Sequence, residues 1–232
     1  GIAGVSGNGQ GELAAAISGE RITNAAEDIV LEGRPIGHLD AGKRRDLGLG
    51  FVPEERLGRG AVPPYGLSEN ALLTGHRKGM VKNGMADRKK AREFASHIID
   101  KYKVKANGTE AKAHGLSGGN LQKFIVGREI ELDPRALLIS PPTWGVDVGA
   151  AAHVRQTLID ISRSGQAVIV ISEELEELFE ICDRIYVICH GKLSQSLDRA
   201  ETDVEEIGLL MTGIGNHSDV SGTTTEGYDY AV

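Results

Sequence analysis

Cysteine is nearly absent from this 232-residue chain: there are two, Cys182 and Cys189, both inside an apolar stretch. Two thiols so placed exclude a disulfide-stapled scaffold and fit buried, reduced side chains. A basic excess is lacking too, since 26 Lys and Arg stand against 33 Asp and Glu for a net charge of −7. With no basic stripe visible, that balance argues against a partner recognised by its phosphate backbone, so no nucleic acid is expected. Long apolar runs are missing. The longest, Ala167 to Ile171 and Ile185 to Cys189, are strand-length, far short of the roughly 20 residues a membrane-crossing helix needs. Nor is there a charged segment followed by an apolar one at the start, so no secretory signal is read. The seven histidines are scattered without metal-ligand spacing, and no metal site is expected.

What is present reads as a soluble globular chain. Hydrophobic residues at 40% and charged residues at 25% are ordinary values, and the length suits one or at most two domains. The opening Gly1-Ile2-Ala3-Gly4 has no initiator Met and reads as the inside of a strand. The expectation is a piece cut from a longer protein, with a preceding segment missing and a sheet edge left unpaired.

Short runs rich in β-branched residues at Asp28 to Leu31, Ala136 to Ile139, Ala167 to Ile171 and Arg184 to Ile188 alternate with helical patterns. That alternation predicts an α/β fold with a largely parallel sheet. The clearest helix runs from an N-cap at Asp87 to Tyr102, with Ala91, Phe94, Ala95, Ile98, Ile99 and Tyr102 at spacings of three and four. Its outward Lys and Arg read as a solvated face. Between the turn-rich stretch Gly58 to Gly66 and Leu116 only helical segments are visible, which predicts a helical subdomain inserted in the core. The composition after Met211 turns to Gly, Ser, Thr and Asp, and the tail 214–232 is expected to be disordered.

Two segments carry chemistry. Gly4-Val5-Ser6-Gly7-Asn8-Gly9-Gln10-Gly11-Glu12-Leu13 follows a strand and opens a helix, with glycines that let backbone N–H groups approach a phosphate. It has the frame of a Walker A loop, although Gln10 stands at the Lys position and Gly11 at the Ser or Thr position. By itself this also reads as a structural glycine turn. The second segment is Leu116-Ser117-Gly118-Gly119-Asn120-Leu121-Gln122-Lys123, followed by the apolar run Ala136 to Ile139 and by Pro142-Thr143-Trp144-Gly145-Val146-Asp147. Alone it is an N-capped helix start. A Ser117, His114 and Asp147 hydrolase triad has no nucleophile-elbow sequence around the serine.

Together the two segments resemble an ATP-binding-cassette domain over residues 1–213. Leu116 to Asn120 matches the family's signature motif, Ala136 to Ile139 its Walker B strand, and Gly145-Val146-Asp147 its D-loop. The resemblance implies a P-loop NTPase-like cassette with a RecA-like core sheet at about 1–57 and 136–213, a helical subdomain at about 64–135, and an N-terminal truncation. Gly9-Gln10, Val52-Pro53-Glu54-Glu55-Arg56, Asp147-Val148-Gly149-Ala150 and Ser172-Glu173-Glu174-Leu175-Glu176-Glu177 look like the second, often degenerate cassette of importers for simple sugars or nucleosides.

Several family positions depart from an active cassette. Gln10 is neutral and Gly11 lacks a side chain, so neither offsets phosphate charge nor holds Mg²⁺. Ser140 and Pro141 stand where the metal-holding Asp and water-polarising Glu belong, Glu173 replaces the switch histidine, and Glu54 replaces the Q-loop glutamine. Each missing charge-stabilising group is worth about 3–4 kcal/mol of barrier. Hydrolysis at this loop should be negligible, while the N–H groups of Ser6 to Gly11 leave weak nucleotide binding by Gly7, Asn8, Gly9, Gln10, Gly11 and Glu12 open.

The signature motif is intact. By resemblance, Leu116, Ser117, Gly118, Gly119 and Asn120, arranged with Asp147, face ATP and Mg held by a partner cassette, expected on the same polypeptide. Trp144 is a candidate for the same interface. The other implied partners are membrane permease subunits, received in a groove of the Glu54 loop and Ser68 to Gly75, and indirectly a solute-binding protein, with the chain peripheral on the cytoplasmic face. Two rivals are an active ATPase with altered ligands and a soluble non-transport cassette acting on nucleic acid or ribosomes. The departures weigh against the first, and the net charge against the second.

Overall fold

The computed structural model describes residues 1–141 and 145–213, so the expectations for Trp144 and for the tail fall outside the described residues. Strand β1 (Ile2–Ala3) runs through a glycine loop into helix α1 (Gln10–Ser18). A ribbon of β2 (Val30–Leu31) and β3 (Arg34–Pro35), helix α2 (Ala41–Asp46) and strand β4 (Leu49–Val52) follow. Next come α3 (Leu67–Gly75), a ribbon of β5 (Val81–Lys82) and β6 (Met85–Ala86), α4 (Arg88–Lys101) and α5 (Gly118–Glu131). The chain continues through β7 (Ala136–Ile139), α6 (Val148–Arg163), β8 (Ala167–Ser172), α7 (Leu175–Ile181) and β9 (Arg184–Cys189). Short strands β10 (Lys192–Leu193) and β11 (Leu197–Asp198) and helix α8 (Val204–Met211) complete it.

The main sheet has the order β10-β9-β1-β8-β7-β4, with β11 also on β9. Strands β9, β1, β8, β7 and β4 are mutually parallel, and β10 and β11 join antiparallel at one side. The α/β class and parallel sheet are as the run pattern predicts. Alternation then sorts the side chains between two faces. Ala3, Leu137, Ile139, Val170, Ile185 and Val187 point into one core with Leu121, Ile125, Val154, Leu158, Leu178 and Ile207 of the helices. Ile2, Leu138, Ile171 and Ile188 point into another, against Leu13, Ala14 and Ile17 of α1. A third cluster joins Leu67, Ala71, Ala95, Ile98 and Phe124 of α3, α4 and α5 with Tyr102, the C-cap of α4.

Two sequence expectations need correction. The run Asp28 to Leu31 is no strand of the parallel sheet: Val30 and Leu31 pair antiparallel with Pro35 and Arg34 in a separate ribbon. The edge of the parallel set is instead β4, whose Leu49-Gly50-Phe51-Val52 pairs with β7 from Ala136 to Ile139. The stretch expected to hold helices only contains the ribbon β5–β6, turned at Asn83 and Gly84, both with positive φ.

Two charged devices set the helices that matter for function. Arg44 is fully buried and donates to the carbonyls of Ala16 and Ile17, the latter at 2.8 Å, so a cation meets the C-terminal end of α1. Glu129, buried in α5, accepts from Arg45 at 2.6 Å and pairs with the neighbouring Arg128 at 3.0 Å. Arg128 in turn donates to the carbonyls of Gly60 and Asn70, at 2.9 and 3.3 Å. This network ties α5 to β4, α3 and the loop between them.

Candidate functional site

The carboxyl ends of parallel strands are where an open α/β sheet leaves a crevice. Here the ends of β1, β4, β7 and β8 enclose a cleft of about 570 Å³, lined by Ser6, Gly7, Gln10, Gly11, Glu12, Glu54, Ser140, Pro141 and Ile171 to Glu174. The fold therefore gathers Gly7, Gln10, Gly11, Glu12, Glu54, Ser140, Pro141 and Glu173 from four segments. Asn8 and Gly9 turn toward a neighbouring groove with His190 and Gly191.

The loop is closed by its own side chains. Gly9 is the N-cap of α1 with φ 108°, a conformation glycine adopts without strain, and no side chain caps the helix there. Gln10 folds back instead: its Nε2 donates to the Val5 carbonyl at 2.7 Å, and its Oε1 accepts the Asn8 N–H at 3.1 Å. Asn8 fastens the loop to the turn after β9, accepting the N–H of His190 on Oδ1 and that of Gly191 on its carbonyl, both at 2.9 Å. Of the N–H groups from Ser6 to Gly11 that leave weak nucleotide binding open, that of Asn8 is already engaged within the loop.

Glu12, Glu54, Glu173 and Glu174 put four carboxylates on this cleft, and its described lining contains no Lys, Arg or His. Ser140 is buried at the end of β7, and the carbonyl of Pro141 accepts from Gln122 Nε2 at 3.1 Å. Ser172 accepts the Glu174 N–H at 3.1 Å and donates to Glu177, also at 3.1 Å, holding the turn that presents Glu173. Among the described residues no three His, Cys, Asp or Glu converge as metal ligands. At the two loop positions nearest a phosphate, Gln10 is turned back on Val5 and Asn8 and Gly11 has no side chain, so neither offers a free ligand oxygen to a phosphate-bound Mg²⁺.

The signature segment lies on a different surface. Ser117 is the N-cap of α5; its Oγ accepts from Asn120 Nδ2 at 2.8 Å, and Asn120 Oδ1 accepts the Lys105 N–H at 2.8 Å. Leu116 packs inward, while Ser117 and Gly118 stay exposed. Asp147 caps α6 by accepting the Ala150 N–H at 3.0 Å, and its carboxylate pairs with Lys123 of α5 at 3.5 Å. That amide, with the Lys123 ammonium, holds the Asp147 carboxyl below the usual carboxylate range. Ser117 and Asp147 thus cap the starts of α5 and α6, which the Lys123 ion pair joins, and Val148 beside Asp147 is 85% exposed.

Residue spacing alone does not reveal Arg56, Gln122 and Lys123, whose partners lie far along the chain. Glu174 is a near miss, adjacent to Glu173 in the same acidic run.

This combination of sheet order, glycine loop and capped signature helix is the ATP-binding-cassette fold. Two solved cassettes superpose on the chain. One is a dimeric post-hydrolysis state of the ATP-binding cassette MJ0796 bound to ADP and Pi, with TM-score 0.71 and 20% identity over 85% of this chain and 84% of that one. The other is a nucleotide-free cassette from an ABC transporter, with TM-score 0.70 and 18% identity over 93% and 87%.

Curated relatives include import ATP-binding proteins. The guanosine import ATP-binding protein NupO of Bacillus subtilis is 40% identical over 92% of this chain and 42% of its own length. The glucose import ATP-binding protein TsgD13 of Haloferax volcanii is 37% identical over 98% and 42%. The ribose import ATP-binding protein RbsA of Clostridium perfringens is 36% identical over 93% and 43%. The chain spans less than half the length of these relatives. No protein-family model matches it.

Proposed function

We propose that this chain is a nucleotide-binding cassette of an importer for simple sugars or nucleosides, whose own Walker-type cleft is catalytically inert and whose signature surface completes the ATP site of a partner cassette. The relatives named above supply the solute class and the importer setting. The observation that carries the reading is the contrast in charge. The described lining of the chain's own cleft presents four carboxylates and no Lys, Arg or His, against a ligand whose triphosphate is strongly anionic.

At the partner's site, bound ATP with Mg²⁺ would supply the phosphoanhydride whose hydrolysis drives transport. This chain's part is to hold its outer phosphate. The Ser117 hydroxyl and the N–H groups of Gly118 and Gly119 stand at the N-terminal end of α5, where the helix dipole favours an anion. Asp147 keeps the neighbouring turn in place through Ala150 and Lys123. Glu54 and α3, which contains Ser68 to Gly75, are assigned to the face that meets a permease subunit. The division into a core at about 1–57 and 136–213 and a helical part at about 64–135 belongs to the same proposal. No helix among the described residues is long and apolar enough to cross a membrane. We place the chain peripherally on the cytoplasmic face, with a first cassette, permease subunits and indirectly a solute-binding protein as its partners.

Calorimetric titration of the purified chain with ATP, with and without Mg²⁺, tests the inert cleft. The expected result is no binding, or weak binding indifferent to Mg²⁺. Tight Mg²⁺-dependent binding overturns the reading and makes the chain an ATPase with altered ligands.

A further inference from the structure

We infer that Arg56 is a positioning residue for the composite ATP site: its guanidinium clamps the start of the signature helix to the turn before Asp147, so that Ser117 and Asp147 meet a partner as one unit. The clamp stands on geometry within this chain. Its consequence for turnover rests on the function proposed above.

Gly118 and Gly145 lie against the same guanidinium. A β-carbon on Gly118 would stand 2.6 Å from Arg56 Nη1, and one on Gly145 would stand 3.0 Å from Nη2 and 3.3 Å from Nη1. Gly119 is nearly as close to the D-loop, since a β-carbon there would stand 3.0 Å from the Gly145 carbonyl oxygen. Two glycines of the signature motif are thus the room in which Arg56 and the 145–147 turn fit. On its other side the guanidinium donates through Nε to Gln122 Oε1 at 3.2 Å, and Gln122 reaches the Pro141 carbonyl at 3.1 Å. One guanidinium thereby fills the space beside the first turn of α5 and the turn into α6 and bonds, through Gln122, toward the end of β7.

The loop that carries Arg56 is stiff enough to act as a base. The Arg56 carbonyl accepts the Ala61 N–H at 2.7 Å, and the Glu55 carbonyl accepts that of Gly60 at 2.9 Å. Buried Arg128 donates to the Gly60 carbonyl at 2.9 Å, and buried Asn70 holds Val62 through its N–H at 2.8 Å and its carbonyl at 3.2 Å. A planar guanidinium with donors on both edges can bridge two backbone turns and a side-chain amide; a lysine ammonium at the same place is a point charge without that fork. Arg56 also follows Glu54 by two residues, so the loop that borders the chain's own cleft reaches the signature surface.

The test is a substitution cycle between Arg56 and Gly118. Alanine at 118 keeps the N–H and suits a helix start, but its methyl displaces the end of the flexible Arg56 side chain. In the assembled transporter, Arg56→Ala and Gly118→Ala are each expected to lower kcat about tenfold with KM for ATP unchanged, because the partner's loop still holds the nucleotide. The double variant is expected to lie within about twofold of either single one, since both remove the same contact. Arg56→Lys should not rescue. Losses that multiply to about a hundredfold in the double variant overturn the clamp.

A measurement on the purified chain separates this inference from the function it rests on. Amide exchange at Gly119, Val146 and Asp147 should speed up at least about tenfold in Arg56→Ala at unchanged global stability, and unchanged exchange refutes the clamp. If Ser117→Arg abolishes turnover while Arg56→Ala leaves it intact, the inference fails and the composite site stands. If Ser117→Arg has no effect on turnover, the composite site fails and the exchange data alone decide the clamp.

Discussion

Helices α1 and α5 both begin at a glycine-rich loop, and both point an N-terminal end at a surface where a phosphate would sit, yet their surroundings are opposite. The start of α1 has no side-chain cap, is closed by Gln10 upon Val5 and Asn8, and faces Glu12, Glu54, Glu173 and Glu174. The start of α5 is capped by Ser117 and stands beside the Arg56 guanidinium, with Lys123 one turn in. A helix dipole contributes roughly half a charge at such an end and is easily outweighed by neighbouring formal charges. The lesson is that a loop's backbone frame does not make an anion site; the formal charges around it decide.

The largest expected effect breaks the comparison on the α5 side. Under the proposed function, Ser117→Arg places bulk where the outer phosphate of a partner's ATP would dock, and ATPase activity of the assembled transporter should fall at least about a hundredfold, the order lost with one transition-state contact or more. Unchanged activity would equate the two helix starts and end the claim that only one of them functions.

A second prediction concerns what anchors α5. Burial alone would raise the Glu129 carboxyl, but the Arg45 and Arg128 guanidiniums outweigh it and hold the pKa below the ordinary glutamate value. Glu129→Gln leaves Arg128 buried without its counter-charge, an uncompensated group that typically costs about 3–5 kcal/mol. The thermal midpoint should drop on the order of 10 °C for a chain of this size. A depressed folded-state pKa means the contribution is fully present above the unfolded value of about 4.3 and is lost as pH falls through the folded one. Wild type should therefore lose stability steeply below about pH 4, with a shallower acid limb in Glu129→Gln. Parallel limbs would show that the Arg45–Glu129–Arg128 network does not carry this linkage.

How much of this was legible in the sequence differs by region for physical reasons. Strands β8 and β9 are visible because their β-branched runs are long enough to stand out, β7 because its four residues are all apolar and uninterrupted by glycine, and α4 because its capping Asp87 and apolar spacing mark both ends. Strand β4 is invisible: four residues with a glycine, buried on every side chain, show neither alternation nor a β-branched run. Val30 and Leu31 look like the same kind of strand, and composition does not say which partner a short strand will find. The cleft residues follow from motif spacing, since Gln10, Ser140, Pro141 and Glu173 each sit at the end of a recognisable run. Arg56 does not, because nothing in Val52 to Arg56 indicates that its guanidinium will meet Gly118, Gln122 and Gly145.

The smallest expected effect sharpens the comparison on the α1 side. Gln10→Ala removes two hydrogen bonds within a partly exposed loop, each worth about 0.5–1.5 kcal/mol net, so the chain should lose on the order of 1–2 kcal/mol of stability. Turnover of the assembled transporter should nonetheless stay within about twofold of wild type, because removing a neutral side chain leaves the four carboxylates of the described lining, and its lack of Lys, Arg or His, untouched. The pairing of the two readouts is what discriminates. A thermal shift with unchanged turnover assigns Gln10 to loop closure alone. A fall in kcat of fivefold or more would instead mean that the loop before α1 takes part in the hydrolytic cycle, and the two helix starts would have to be treated as two working halves.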